Sequence, residues 1–322
     1  MFLKVKNSRH APRPLGNHRR QTETETRLIH LPPACFTPKT LDAGHVTNTP
    51  DQSPLGKPRG YCSQYAPALL FPIPRQAQRA ELALRGTLPF FGVDIWNAYE
   101  VSWLNVRGKP EIAIATIVVP ADSPNLIESK SFKLYLNSFN QTRLVDATAL
   151  SSTLQADLAQ GFGAPVRVTL TPAHEFASLK FGQLEGTLLD RLDIEIDSYQ
   201  PNPALLFAAQ NQAPVEETLV SHLLKSNCLV TGQPDWASVQ IRYLGAPIDQ
   251  ASLLKYLIGL REHNEFHEHC VERIFVDILR HCLPARLSVY ARYTRRGGID
   301  INPWRSNFST SDLPSNLRLA RQ

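Results

Sequence analysis

The segment Val101-Ser-Trp-Leu-Asn-Val-Arg-Gly-Lys-Pro-Glu-Ile-Ala-Ile-Ala-Thr-Ile-Val-Val-Pro120 decides the fold class of this chain. On both sides of its Arg107–Pro110 turn, large apolar residues alternate with smaller or polar ones, which is the period of a β-strand. Two such runs joined by a short turn with glycine and proline predict an antiparallel hairpin. The apolar spacing then becomes helical and afterwards alternates again. We therefore predict helices at residues 132–139 and 148–158, the second ending near Gly161, and strands at residues 166–170 and 193–197.

The second half of the chain repeats this order. Its predicted elements are a strand at residues 236–244, helices at residues 253–260 and 270–282, and a strand at residues 286–294. Ser131-Phe-Lys-Leu-Tyr-Leu136 aligns with Ser252-Leu-Leu-Lys-Tyr-Leu257, and the same offset places Leu150, Leu154 and Leu158 opposite Val271, Phe275 and Leu279. Such self-similarity indicates an internal duplication. We predict an α+β fold with a first module at residues 56–205, a second at residues 206–322, and a site assembled from both.

The composition is that of a globular protein. The 322 residues are 43% hydrophobic and 20% charged, enough for one large domain or two of ordinary size. The net charge of +5 is concentrated near the N-terminus, so chain-wide attraction to nucleic acid is a weak inference. The five cysteines, an odd number without tight pair spacing, fit a reducing cytoplasm. Because no apolar run approaches a bilayer span or a signal peptide, we expect neither membrane insertion nor secretion.

Residues 1 to 55 differ from the rest of the chain. They carry many of the prolines, a basic cluster and Thr22-Glu-Thr-Glu-Thr26, with little periodic hydrophobicity. Such a segment has too little apolar surface to offset the entropy lost on ordering. We predict a disordered, dispensable arm. A functional basic tail and a start site placed too far upstream are the alternatives.

Cys228 and Asp235 are the candidate nucleophile and proton donor. They lie seven residues apart in Ser226-Asn-Cys-Leu-Val-Thr-Gly-Gln-Pro-Asp-Trp236, across a turn signal. A thiol with a pKa of about 8.5 is mostly protonated at neutral pH, so a catalytic cysteine needs a base, a positive charge or a helix N-terminus nearby. The competing interpretation is a small core residue. Thr231 and Gly232 favour an accessible loop instead.

His263, His267, His269 and Cys270 crowd one short stretch, which suggests a metal site. The helical zinc pattern His-Glu-x-x-His fails, however, because Val271 stands where the second histidine is required. A polar helix start on a solvated turn explains the same residues.

Three further strings have ligand-binding chemistry. Phe266-His-Glu268 can stack on a heterocycle and accept hydrogen bonds from an amidine-like edge such as that of guanine. Glu128-Ser-Lys-Ser-Phe-Lys133 opens a helix, where N–H groups favour anions, and Arg295-Arg-Gly-Gly298 has the charge and close backbone approach of a phosphate-binding loop. An ordinary capped helix start and a solvated basic turn are the alternatives. Gly161-Phe-Gly163 is interpreted as a turn, so a Rossmann fingerprint is missing.

From about residue 55 onwards the chain resembles the NADPH-dependent 7-cyano-7-deazaguanine reductase family, the nitrile reductases of queuosine biosynthesis in tRNA, in its long bimodular form. The resemblance rests on Glu128–Tyr135, Ser226–Cys228, Asp235, Phe266–Glu268 and Tyr293–Gly298. It implies two tandem tunnelling-fold modules, each an antiparallel sheet with paired helices, in a cytoplasmic homodimer. It also implies a small deazapurine substrate, two NADPH consumed per turnover, no metal ion and no direct binding of nucleic acid.

The resemblance further implies roles for individual residues. Cys228 would attack the nitrile carbon to form a thioimide, and Asp235 would protonate the nitrogen. Two hydride transfers from NADPH would then give 7-aminomethyl-7-deazaguanine. The substrate would be held by Ile127, Glu128, Ser129, His267 and Glu268, and the cofactor by Ser129, Lys130, Arg296 and Gly297.

Two alternative functions stay open. The same fold includes a zinc-dependent GTP cyclohydrolase, so a metal-dependent hydrolase with Cys228 and the histidines as ligands is the first. The missing His-x-x-His or Cys-x-x-Cys pair disfavours it. The second is a non-catalytic purine- or RNA-binding module that uses the basic arm and Phe266.

Overall fold

The computed structural model describes residues 48–53, 60–309 and 313–322. Most of the predicted N-terminal arm lies outside these residues, so its disorder and its dispensability stay predictions. Within the part that is described, the side-chain amide of Asn48 donates a hydrogen bond to the carbonyl of Pro72, 2.9 Å away. This contact joins residue 48 to the first strand.

The described residues form eleven strands and five α-helices. The strands are β1 (Pro72–Pro74), β2 (Phe91–Leu104), β3 (Pro110–Pro120), β4 (Asn125–Ile127), β5 (Arg167–Pro172), β6 (Thr187–Leu188), β7 (Val215–Ser221), β8 (Lys225–Asn227), β9 (Pro234–Gly245), β10 (Arg286–Tyr293) and β11 (Ile299–Ser306). The helices are α1 (Gln76–Glu81), α2 (Ser129–Asn137), α3 (Ala147–Phe162), α4 (Gln250–Gly259) and α5 (His267–Cys282). None of these helices has the length and apolar character needed to cross a membrane.

Strands β2 and β3 form the predicted antiparallel hairpin, with Leu104 opposite Pro110 next to the turn. They belong to a nine-stranded sheet in the order β5, β3, β2, β11, β10, β9, β7, β6, with β8 attached to β9. Its pairs are antiparallel except for β6 with β7. Strands β1 and β4 form a separate two-stranded sheet. The predicted α+β class with antiparallel sheets is therefore confirmed.

Strand β11 joins the two halves of the chain. It pairs with β10 of the second half and with β2 of the first, from Ile299 opposite Ala98 to Ser306 opposite Phe91. One sheet therefore continues across the predicted boundary at residues 205 and 206. The alternation of apolar and polar residues in β11 is typical of a strand, but it does not identify the partner strand.

Two hydrophobic clusters lie against this sheet. The first packs α2 and α3 on β2, β3 and β5, and it includes Ile299 and Ile301 from β11. Its aromatic centre is Trp96, which makes edge-on contacts with Phe132 and Phe162 at centroid distances of 5.3 and 5.9 Å. The second cluster packs α4 and α5 on β7, β9 and β10. Because burial of apolar surface is the main favourable term in folding, each helix pair is stabilised on its own half of the sheet.

The two helix pairs share a similar contact. Tyr135 on α2 donates a hydrogen bond to Asp157 on α3 (2.6 Å), and Tyr256 on α4 donates one to Asp277 on α5 (2.7 Å). The residues that cap the first helix of each pair also correspond: Glu128 and Asp249. These bonds place Asp157 opposite Asp277, one residue from the pairing of α3 with α5 that the predicted alignment gives, so the duplication and its register stay predictions.

Two predicted features are wrong. Residues 193–197 form no strand, because no strand pairs with them; Ile194 packs against the second cluster while the charged residues beside it are exposed, which produces the alternation. Helix α3 continues past Gly161 to Phe162 and is followed by Gly163, whose φ of 70° is the left-handed conformation of a C-cap. Inside the helix, a Cβ on Gly161 would lie 2.8 Å from Cδ1 of Ile127. The glycine therefore permits a close helix–strand contact and is not part of a turn.

Candidate active site

Cys228 lies in the hairpin loop between β8 and β9. At the base of the loop, Ser226 of β8 pairs with Asp235 of β9. The N–H of Cys228 donates to the carbonyl of Gln233 (2.8 Å), and the N–H of Gly232 donates to the carbonyl of Cys228 (3.0 Å). Gly232 has a φ of 66°, a conformation that glycine adopts without strain. The seven-residue spacing is thus a hairpin that brings the thiol and the carboxylate to the same end of two paired strands.

The environment of Cys228 favours the thiolate. The residue is buried, with 4% of its surface exposed, and burial by itself raises the pKa of a thiol because it penalises the charged form. Hydrogen bonds from the Thr231 hydroxyl, from the backbone N–H groups of Val230 and Thr231, and from the Arg296 side chain outweigh burial and lower the pKa of Cys228. The nucleophilic form of the cysteine is therefore stabilised.

The carboxylate of Asp235 lies between Arg296 and His267. Its Oδ1 is 3.1 Å from Nη1 of Arg296, and its Oδ2 is 3.3 Å from Nε2 of His267. Arg296 also donates to the side-chain carbonyl of Gln233, 3.3 Å away. Arg296 therefore links the candidate nucleophile with the candidate proton donor, a position that the sequence did not predict for it.

The imidazole of His267 is stacked on a tyrosine ring. The centroids of His267 and Tyr293 are 3.9 Å apart, and their planes differ by 4°. His267 is the first residue of α5, and Tyr293 is the last residue of β10. Although Nδ1 of His267 is buried, it has no hydrogen-bond partner in the part of the chain that the structure describes.

Glu268 follows in the first turn of α5 and is also buried. Burial and the nearby negative charge of Asp94 raise the pKa of Glu268, while Arg75, His267 and the N–H at the helix start partly offset this rise. A carboxylate in this position has a favourable interaction with the positive end of the helix. Glu268 is therefore a buried hydrogen-bond acceptor whose position is fixed by the first turn of α5.

A buried ion network supports α5 beyond its first turn. Glu272 accepts hydrogen bonds from Arg79 (2.8 Å) and from Arg305 (2.9 Å). Asp94 in turn accepts from Arg305 (2.8 Å) and from Arg75 (2.6 Å). Arg79 lies on α1 and Arg75 immediately before it. Asp94 lies on β2, Glu272 on α5 and Arg305 on β11. Because removing one partner of a buried ion pair leaves a charge uncompensated, the network fixes where α5 crosses the sheet.

One narrow cavity collects most of the predicted site residues. Strand β4 and helix α2 of the first half meet the hairpin loop and α5 of the second half there. The predicted residues that line it are Ile127, Ser129, Cys228, Asp235, His267, Glu268 and Arg296. Its volume of ≈ 30 Å³ is about the share of one water molecule in the liquid, so the cavity as it stands is smaller than a ring-sized ligand.

Glu128 caps α2 and does not line the cavity. Its Oε1 accepts from the N–H of Lys130 (2.6 Å), and its Oε2 accepts from the N–H of Ser131 (2.8 Å). Burial raises the pKa of Glu128, although these N–H donors and the charges of Lys133 and Lys130 oppose the rise. The cap fixes the start of α2 and thereby places Ser129 at the cavity wall.

Lys133, one turn into α2, is close to the site although the sequence did not single it out. Burial lowers the pKa of Lys133, and the positive charge of Arg296 lowers it further, whereas nearby carboxylates and the Cys228 thiolate oppose the change. A Cβ on Gly297 would lie 3.1 Å from Nζ of Lys133, so the ammonium group lies against this glycine. Two positive charges therefore adjoin the nucleophile and the glycine turn, and only the folded chain reveals the second.

The histidine-rich stretch is organised by Glu265, which the sequence also did not single out. Its buried carboxylate accepts from Arg273 and lies 2.6 Å from Nε2 of His263 and 3.3 Å from Nδ1 of His269. Burial would raise the pKa of Glu265, but these groups lower it. Its N–H donates to the carbonyl of Asn227 (2.9 Å), which ties the start of α5 to the strand before Cys228. Within the described ranges, no group of three His, Cys, Asp or Glu side chains is arranged to hold a metal ion.

Two family models match the chain. Residues 61–170 match the model described as "Nitrile reductase, 7-cyano-7-deazaguanine-reductase N-term", and residues 234–312 match the model "QueF-like protein". A solved structure, the archaeosine synthase QueF-Like in the apo form, overlaps 31% of this chain with 15% identity and a TM-score of 0.27, which is too low for a comparison of folds.

Curated relatives match over nearly their whole length. The NADPH-dependent 7-cyano-7-deazaguanine reductase of Ralstonia nicotianae is 65% identical over 275 residues, which cover 85% of this chain and 99% of the relative. The enzyme of the same name from Cupriavidus metallidurans is 64% identical with the same coverage. That of Bordetella parapertussis is 62% identical over 270 residues, or 84% of this chain and 98% of the relative.

Proposed function

This chain belongs to the family of NADPH-dependent 7-cyano-7-deazaguanine reductases, and from that membership we propose that it reduces the nitrile of 7-cyano-7-deazaguanine to an aminomethyl group. The reaction makes it an oxidoreductase, and its product, 7-aminomethyl-7-deazaguanine, leads to queuosine in tRNA. The observation that carries the proposal is Cys228, a thiol of lowered pKa in a hairpin that also presents Asp235. A nitrile is a poor hydride acceptor, so its reduction needs such an activated nucleophile first.

In the first step the Cys228 sulfur adds to the nitrile carbon. A C–S bond forms and one π bond of the C≡N group opens. Asp235 takes up the proton that the Cys228 thiol loses and delivers it to the nitrogen. The product is a thioimide, so that the S–H group has added across the triple bond. Proton transfer of this kind contributes roughly 10²–10⁴-fold to a rate. The contacts of Asp235 with Arg296 and His267 hold its carboxyl group towards the cavity.

The deazaguanine ring is held by the remaining wall of the cavity. Glu268 and His267 accept and donate hydrogen bonds at its polar edge, and a buried carboxylate suits the adjacent N–H donors of a guanine-like ring. Ile127 and Ser129 contribute to this wall from the first half of the chain. Glu128 lies behind the wall as the cap of α2, and we propose that it acts on the substrate through the lone pairs that the cap leaves free. Both halves are therefore required for one site.

The residues at the glycine turn suit a phosphorylated dinucleotide. Ser129, Lys130, Arg296 and Gly297 would hold NADPH, with Lys133 beside them. The fit rests on charge, because Lys133 and Arg296 are packed together and an anion relieves their repulsion. When bound, NADPH supplies the hydrides, two being consumed per turnover. The hydrogen bonds that favour the Cys228 thiolate also favour its departure when the C–S bond breaks.

The finer architecture is part of the same proposal. We place two tandem tunnelling-fold modules at residues 56–205 and 206–322, supported by the two hydrophobic clusters and by the repeated tyrosine–aspartate bond. We expect a cytoplasmic homodimer that acts on a small molecule without a metal ion and without binding nucleic acid directly.

The test is intact-mass analysis of the protein mixed with 7-cyano-7-deazaguanine in the absence of NADPH. We expect one covalent adduct per chain, which disappears in Cys228→Ala. Cys62→Ala is the matched control, because that partly exposed cysteine lies outside the cavity, and it should retain the adduct. An unmodified wild-type protein would refute the thioimide. Stoichiometric zinc in that protein would then favour the hydrolase alternative.

A further inference from the structure

Tyr293 is the one aromatic ring stacked face to face on a predicted site residue within the described part of the chain, and the proposed mechanism does not use it. Its side chain is fully buried. Its hydroxyl faces Cys270 and Ser226, and among the described residues it makes no hydrogen bond of ordinary geometry. Because a hydroxyl without a well-formed hydrogen bond adds little stability, what the fold uses at this position is the ring.

His267 needs support from such a ring. Its polar contact with the described part of the protein is the 3.3 Å approach of Nε2 to Asp235, which is long for a hydrogen bond, and Nδ1 has no partner. The torsion between Cβ and an imidazole ring is broad and soft. A parallel ring at 3.9 Å opposes rotation about this torsion, because rotation would drive the imidazole edge into the ring face.

The backbone of Tyr293 is itself fixed. Its N–H donates to Oδ1 of Asn302 (3.1 Å), and its carbonyl accepts from the side-chain amide of Gln322 (2.9 Å). In the sheet it lies opposite Ala237, two residues after Asp235 on β9. The tyrosine ring and the carboxylate therefore belong to neighbouring strands, and the distance between them is set by the sheet.

We propose that Tyr293 is a positioning residue, whose ring holds the His267 imidazole in the plane that directs Nε2 at Asp235. Through His267 it keeps the Asp235 carboxyl group aimed at the nitrile nitrogen. This inference rests on the proposed function, since the proton concerned is the one that the nitrogen gains in thioimide formation. Because Tyr293 does not line the cavity, we assign its ring no contact with the substrate. A displacement of about 1 Å at a reacting group can cost roughly 10²-fold in rate. A change in the orientation of the His267 imidazole should therefore have a measurable effect on the rate.

The experiment compares Tyr293→Phe, which keeps the ring, with Tyr293→Met, which fills the space with a flexible chain. The measured quantity is the rate of thioimide formation at saturating 7-cyano-7-deazaguanine without NADPH, followed by intact mass. We expect Tyr293→Phe to be within about twofold of wild type, because the lost hydroxyl makes no hydrogen bond of ordinary geometry. We expect Tyr293→Met to be roughly tenfold slower, with an unchanged far-ultraviolet circular dichroism spectrum.

A double variant separates positioning from general damage. If Tyr293 acts through His267, adding Tyr293→Met to His267→Ala should slow adduct formation no further, because non-additivity reports a shared path. Equal slowing in both backgrounds would overturn the proposal, and so would a Tyr293→Met protein as fast as wild type. If Tyr293→Met does not fold, a tenfold loss in Tyr293→Phe alone would still refute a role for the ring plane. A wild-type protein that forms no adduct would instead contradict the proposed function on which this inference depends.

Discussion

The guanidinium Nη1 of Arg296 lies 3.1 Å from Oδ1 of Asp235. The arginine that the sequence assigned to the cofactor is therefore bound to the candidate proton donor and also donates a hydrogen bond to the Cys228 thiol. An anion that binds at Arg296 will consequently change the electrostatic field at the nucleophile. With the cofactor role proposed for Arg296, cofactor binding and thiol reactivity would be coupled through this one side chain.

Replacement of Arg296 by alanine should impair chemistry that precedes any hydride transfer. Without the positive donor the pKa of Cys228 rises, so less thiolate is present at neutral pH. We expect thioimide formation without NADPH to slow roughly tenfold at pH 7, and raising the pH should recover part of the loss. Arg295→Ala is the matched control, since that guanidinium is exposed and lies 4.8 Å from the Tyr99 ring. Equal adduct rates in wild type and Arg296→Ala would show that Arg296 serves the cofactor alone.

Thr231 offers a more selective test of the thiol. Its hydroxyl and its N–H both donate to Cys228, and Thr231→Val removes the hydroxyl while keeping the shape. Because hydrogen bonds to the charged form lower a pKa, the variant should show a higher thiol pKa. The rise of the adduct rate with pH should therefore move to higher pH, with a similar plateau once the thiol is ionised. A lower plateau without a shift would mean that Thr231 affects geometry.

Asp235→Asn should separate binding from proton transfer. The amide keeps the size of the side chain but cannot donate a carboxyl proton. We expect adduct formation to slow by roughly 10²-fold or more, while 7-cyano-7-deazaguanine still binds, as measured by calorimetry on the Cys228→Ala background. If the ligand no longer binds, Asp235 has a structural role in the cavity.

The buried network around Glu272 should dominate acid stability. The arginines Arg305 and Arg79 lower the pKa of Glu272 to about 2, against an ordinary value of 4.5 and despite burial, which would raise it. A folded-state pKa below the unfolded one gives stability that is present above about pH 4.5 and is lost as the pH falls towards 2. Glu272→Gln leaves two buried arginines undercompensated and should lower the free energy of unfolding at pH 7 by about 3–5 kcal/mol.

Chemical denaturation of wild type and Glu272→Gln across this pH range measures the effect, and the difference between them should shrink in acid. Glu216→Gln is the control, because its partner Arg242 is on the surface and such pairs contribute little. A difference between wild type and Glu272→Gln that does not depend on pH would contradict the assigned ionisation of Glu272.

The N-terminal arm can be tested by deletion at a defined residue. Removal of residues 1–47 should leave turnover unchanged if the arm is dispensable. Removal of residues 1–53 also deletes Asn48, which donates to Pro72, and Pro72 pairs with Ile127 of the cavity wall. We expect a weaker apparent affinity for the deazapurine in the longer deletion alone, measured as KM. A large loss of turnover in the shorter deletion would refute the dispensable arm.

Periodicity in the sequence predicted the elements that bury one face. The hairpin of β2 and β3, both helix pairs and strands β5, β9 and β10 have apolar positions at the spacing that their burial requires. The same alternation of apolar and polar residues was misleading at residues 193–197. It indicates that one side of the segment is buried, but not that a neighbouring strand is hydrogen-bonded to it. Pairing of β11 with β2 depends on residues about 200 positions apart and could not be read from local pattern.

The site shows the same division between local and distant information. Cys228 and Asp235 were predictable because a tight hairpin brings them together within one segment. Lys133 and Glu265 were not, since their roles depend on what the fold places beside them. The available signal for Glu265 was its place between His263 and His267. For Tyr293, only the packing of α5 on the sheet reveals the ring that faces His267.

The position of β11 in the sheet has a consequence for the order of assembly. This strand is synthesised after every other strand of the sheet, yet it lies between β2 and β10. Until it emerges from the ribosome, β2 has an unpaired edge and the first cluster lacks Ile299 and Ile301. Contacts of such long range form slowly, because a large loop must close before they can contribute. A nascent chain that stops before Ile299 therefore already carries the nucleophile, but the sheet of its second half is not yet continuous with the sheet on which the first cluster, including Ile127, packs.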